Sequence, residues 1–88
     1  MREINAGDRL DQYDLQELLA RSGMASIFKA LDRSSGKTVA VKLTLSAAAR
    51  AQLNRLAPGK HLFGSLQTIY ADAGGGLLTL KVRSVKLA

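Results

Sequence analysis

Cysteine and tryptophan are absent from these 88 residues, and proline and histidine occur once each. Without cysteine there is no disulfide framework and no thiol chemistry, and a single histidine gives no basis for a structural zinc site. Aromatics are sparse. Tyr13, Phe28, Phe63 and Tyr70 are the whole set, too few and too scattered to stack single-stranded bases. No run approaches the roughly 20 apolar residues of a membrane span. Met1-Arg2-Glu3-Ile4-Asn5 carries no apolar signal segment, so the expected location is the cytoplasm, with no membrane partner. Carboxylates are missing from Arg33 to Ala71, a stretch that holds Arg33, Lys37, Lys42, Arg50, Arg55 and Lys60. The acids gather early instead, at Glu3, Asp8, Asp11, Asp14 and Glu17, within a net charge of +6. Such an excess draws acidic protein surfaces, nucleotides, nucleic acid or anionic lipid.

What is present is a chain that is 47% hydrophobic, enough for one small domain with a modest core. Residues 1–9 read as a flexible lead-in and residues 10–87 as the domain. Three apolar runs open it, Tyr13–Leu19, Ser26–Leu31 and Thr38–Leu45, joined by the turn-rich Ala20–Ala25 and Asp32–Lys37. The pattern predicts an antiparallel three-stranded meander. In the third run Val39, Val41, Leu43 and Leu45 alternate with Thr38, Ala40, Lys42 and Thr44. Period-2 geometry puts these two sets on opposite faces, so one lysine projects from a face of small residues.

Ser46 to Ala57 predicts a short helix, with Ser46 as its N-cap and Pro58-Gly59 as its stop. Ala49, Leu53, Leu56 and Ala57 form its apolar stripe, and Arg50, Asn54 and Arg55 are assigned to solvent. Two strands follow, Leu62–Ala71 and Leu77–Leu87, with a turn at Ala73–Gly76. Leu78, Leu80 and Val82 share one face, and the parity break at Val85 predicts a bulge near Ser84. His61 reads as a solvated loop residue. A small SH3-like or OB-like barrel also fits five short strands and a helix.

The opening stretch resembles the start of a protein kinase domain, most closely the bacterial serine/threonine protein kinases. Tyr13 and Leu15 match its first strand, Leu19 the residue before the phosphate loop, and Gly23-Met24 the end of that loop. Ile27 and Ala30 match Val-x-x-Ala, and Val39-Ala40-Val41-Lys42 matches the lysine strand. The resemblance implies an α+β fold like a kinase amino-terminal lobe. That is a five-stranded antiparallel sheet and one short helix, in the order strand, strand, strand, helix, strand, strand. It also implies that Leu19, Ser22, Gly23, Ile27, Ala40 and Lys42 form a weak ATP site; no other cofactor and no metal site is expected. The family's loop has glycines where this chain has Ala20, Ser22 and Ala25, and its helix has a glutamate for the lysine, where this helix has no acid. The family's catalytic aspartate and Asp-Phe-Gly belong to a larger lobe beyond the last residue.

The expectation is therefore a non-catalytic module that binds a protein partner or a second copy of itself. Leu19, Ile27, Ala40 and Leu78 are its candidate contact residues. A fragment of a longer serine/threonine kinase and a basic nucleic-acid-binding or polyanion-binding domain are the alternatives, nucleic acid ranking behind protein.

Overall fold

Alternation of side chains along Lys37–Leu45 divides the molecule into two faces. In the computed structural model, which describes residues 3–23, 25–55, 62–71 and 77–87, this segment is the fourth strand. The strands are β1 (Arg9–Leu10), β2 (Tyr13–Ser22), β3 (Ala25–Asp32), β4 (Lys37–Leu45), β5 (Leu62–Ala71) and β6 (Leu77–Leu87). One helix, α1 (Ala47–Arg55), separates β4 from β5. The class is α+β, as expected. The sheet order is β1-β2-β3-β4-β6-β5, and contact between the edge strands β1 and β5 shows that it curls.

Two expectations about the sheet need correction. It has six strands rather than five, because Arg9–Leu10 folds back on Tyr13 and Asp14 as β1. It is also mixed rather than antiparallel, because β6 runs parallel to β4, from Ala40 beside Leu77 to Leu45 beside Val82. A parallel neighbour needs a crossover connection, and α1 with β5 supplies it. Residue alternation is the same in both kinds of pairing, which is why the sequence pattern did not separate them.

The core lies on the face marked by Val41 and Leu43. Phe28 and Ala30 of β3, Leu80 and Val82 of β6, and Leu10, Tyr13 and Leu15 are buried there. Ala49 and Leu53 press the helix against the same face, with Val39, Leu45 and Leu78 packed at the margin. Ser46 caps the helix as expected, its Oγ accepting from Ala49 N at 3.0 Å. The Gln52 side chain accepts from Val85 N at 2.9 Å, tying helix to β6. Leu56, Ala57 and the Pro58-Gly59 stop, His61 and the Ala73–Gly76 turn lie outside the described residues. The bulge expected near Ser84 falls at Arg83, where pairing passes from Ser65–Ser84 to Leu66–Val82.

The amino-terminal segment makes contacts with the domain over residues 3–8. Ile4 is buried in the core, and Asp8 is buried with its carboxylate accepting from Asn5 N at 2.8 Å. Gly7 N donates to Leu15 O, and Leu15 N to Asp8 O, which lays this segment along the start of β2. The first expected loop is also shorter than read. Ala20, Arg21 and Ser22 remain paired with Ile27, Ser26 and Ala25, and Gly23 (φ +53°) turns the chain. The second turn forms as expected: Asp32 accepts from Ser34 N through its side chain and from Gly36 N through its carbonyl.

Burial fixes two expected outcomes. Val41 is fully buried, so Val41→Ala should leave a cavity and lower stability by roughly 1–3 kcal/mol. Thr44→Ala, on the other face, should lower it by well under half as much. Urea midpoints compare the two, and equal midpoints would contradict the face assignment. Tyr13 gives a pH dependence. Burial pushes its phenol above the ordinary range, and the nearby carboxylates of Asp32 and Asp11 push the same way. The folded state therefore favours the protonated phenol, and its contribution is complete below the unfolded value of about 10 and is lost as pH rises through the folded value. Urea midpoints should fall above about pH 10, and less steeply in Tyr13→Phe. An identical fall in both proteins would remove Tyr13 as the cause.

Candidate functional site

The face opposite the helix carries most of the residues singled out from the sequence. Register places them in rows. Ala20, Ile27, Lys42 and Thr79 run across β2, β3, β4 and β6, and Glu17, Lys29, Ala40 and Leu77 form the row beside them. A third row holds Ser22, Ala25, Thr44 and Lys81. Lys29, Lys42 and Lys81 thus form a basic diagonal, one strand and one row apart at each step. Glu17 stands opposite Lys29, whereas Lys42 has Ile27 and Thr79 as its neighbours. None of the three lysines forms an ion pair among the described residues.

Lys42 is half-buried, while Lys29 and Lys81 are exposed. Because Val41 and Leu43 face the helix, Lys42 points away from it. A carboxylate on α1 would not meet this lysine, so the missing helix acid and the lysine's orientation agree. Ser22, Ile27, Ala40 and Lys42 share one face, with Gly23 at the adjoining turn. Leu78 does not join them. It pairs in register with Val41 and packs against the core, so the expected contact set of Leu19, Ile27, Ala40 and Leu78 is divided between two faces.

The edge beside this face is open. β1 covers β2 only at Tyr13 and Asp14, so from Gln16 to Ser22 the strand has β3 alone as a neighbour. Register shifts leave Gln16 and Leu19 as bulged residues without a partner across the ladder. Bulges twist an edge and discourage regular strand addition. At the second bulge Leu18 is 40% exposed and Leu19 52%, two adjacent leucines in water.

A second constellation was not singled out from the sequence. Glu3, Ile4, Arg21, Ser26, Arg50 and Asn54 line a cleft of about 50 Å³ between the amino-terminal segment, the first hairpin and the helix. Arg21 donates through its two terminal nitrogens to the Glu3 carboxylate and to the Ile4 carbonyl. The Nε atoms of Arg21 and Arg50 are both buried without a hydrogen-bond partner. Arg50 does not take the solvent side that the helix pattern predicts. It lies instead beside the buried pair Ala49 and Leu53, one turn from Asn54, and only docking of the helix shows which flank of the stripe is enclosed. The available signal was its position next to Ala49 in the stripe.

Among the described residues no three His, Cys, Asp or Glu side chains are grouped to hold a metal ion. No described helix is long and apolar enough to cross a membrane. No family model, curated protein or solved structure matches the chain.

Lys42 without a carboxylate and a hairpin turn with one glycine make a poor phosphate cradle. ATP should bind this face at about 1 mM or weaker, ~4 kcal/mol of binding free energy. Isothermal titration checks this, and micromolar affinity abolished by Lys42→Met would contradict it.

Proposed function

We propose that these residues form a non-catalytic binding module, similar to a kinase amino-terminal lobe in its Tyr13-x-Leu15 and Val39–Lys42 motifs, whose outer sheet face and open β2 edge take a protein partner. The observation that carries the reading is the pair of adjacent leucines, Leu18 and Leu19, exposed at an edge that no described strand covers. Leu18 stands in the row of the buried Phe28 on the helix side, the bulged Leu19 follows it, and Ala20 is opposite the half-buried Ile27 of the outer face, so apolar surface runs around this edge from one face to the other. Exposed apolar surface rimmed by charge is the ordinary anatomy of a protein-binding site.

Charge selects the kind of partner. Lys29, Lys42 and Lys81 cross the face diagonally, so a surface with carboxylates around an apolar centre complements it. Two copies meeting through this face about a two-fold axis would bring like charges together, which favours an acidic partner over self-association. Nucleic acid is the weaker reading, because the four aromatic residues of the whole sequence are too few to build a stacking platform for bases.

The test compares the proteins retained from native lysate by the immobilised chain with those retained by Leu18→Ser/Leu19→Ser and by Lys42→Glu. Both variants should keep the wild-type circular dichroism and lose the same retained protein. Retention unchanged in both would overturn the reading. Sedimentation equilibrium at tens of micromolar should give a monomer, and a dimer dissociated by the double serine variant would replace the acidic partner with a second copy. A salt-sensitive mobility shift with DNA or RNA that survives the serine changes would favour the polyanion reading.

A further inference from the structure

The cleft between Arg21 and Arg50 lies on the helix side of the sheet, and the protein-binding reading does not use it. Two guanidinium groups and one carboxylate line it, leaving one positive charge in excess. Both Nε donors are buried and unpartnered, an arrangement that favours the arrival of a multivalent acceptor. Guanidinium forks match oxyanions in geometry as well as charge, and Ser26 and Asn54 add a hydroxyl and an amide to the lining. The unfilled volume of about 50 Å³ exceeds the ~15 Å³ that a single water needs. Glu3 demonstrates the chemistry within the chain itself. Its carboxylate already sits on Arg21, while the Glu3 side chain remains 57% exposed and so open to displacement.

We propose that Arg21 and Arg50 form a binding site for a phosphate group, and that Glu3 is a built-in competitor for it. A phosphate oxygen on each Nε satisfies both buried donors at once, which a single carboxylate held on Arg21 does not. Displacement of Glu3 frees the terminal nitrogens of Arg21 for the same ligand. The ligand is either free phosphate or a phosphorylated small molecule, and both present the same tetrahedral oxyanion.

The experiment is an NMR titration of the full chain with inorganic phosphate, with chloride holding ionic strength constant. Saturable shifts should map to Arg21, Ser26, Arg50 and Asn54. Arg50→Gln should weaken binding about tenfold or more. Glu3→Gln should tighten it about two- to fivefold, the size expected on removing an exposed competing ion pair. Arg50→Lys, which keeps the charge without the fork, should fall between wild type and Arg50→Gln. Glycerol phosphate separates the two sources: tighter binding than inorganic phosphate assigns a phosphomonoester, and weaker binding assigns the free ion. Shifts that do not saturate, shifts that map to Lys29, Lys42 and Lys81, or equal binding of acetate would overturn the proposal. The wild-type map decides the matter even if a variant fails to fold. A negative result here leaves the protein-binding reading untouched, because the two sites share no residue.

Discussion

Where β6 lies beside β4, parallel over Leu77–Val82 against Ala40–Leu45, each strand turns its large apolar side chains to the same side. Val41, Leu43, Leu80 and Val82 meet there and are almost wholly withdrawn from water. This contact fixes the rest of the molecule. It requires a crossover, which places α1 over the core face, and it sends β5 to the outside of the sheet. It also commits Lys42 to the opposite face, since its neighbours in the strand are the buried ones. The helix then covers one face of the sheet, and the described elements leave the other uncovered.

Two surfaces of different character result. On the outer face, lysines stand among small and apolar residues, and the open run of β2 exposes two leucines at the adjoining edge. On the helix side, folding the amino-terminal segment down beside the first hairpin brings Glu3 onto Arg21. Burial of Ile4 anchors that segment. Early clustering of acids and central clustering of bases along the chain thus become a contact in space. One cation of the cleft is neutralised from within, and the neighbouring Arg50 forms no ion pair among the described residues. Charge that is merely net positive in composition is therefore divided between an exposed diagonal and an enclosed pair, which suit different kinds of anion.

The nucleotide expectation rested on spacing, and the geometry limits what that spacing can do. Ile27, Ala40 and Lys42 do come together on one face, because cross-strand register obeys the alternation seen in each strand. Pairing persists through Ala20, Arg21 and Ser22, however, so a hairpin with one glycine replaces an open loop. A loop that continues as ladder has its backbone donors committed or turned to the strand edges. It has few left to offer a phosphate.

The sequence by itself determined the elements and their faces. Alternation in β4 and β6, the Ser46 cap, the Ala49–Leu53 stripe and the bulge after Val82 follow from local geometry, which a few neighbouring residues dictate. It did not determine the direction of β6 beside β4, the strand at Arg9–Leu10, or the docking of residues 3–8. Those depend on contacts between residues far apart in the chain, whose energies no local pattern encodes. For the same reason Lys42 was legible as a projecting cation, and the separation of Leu78 from Ile27 and Ala40 was not. Arg21 and Arg50 were invisible as a pair. Side chains 29 positions apart share a cleft only because a hairpin, a helix and the amino-terminal segment bury their apolar residues in one core.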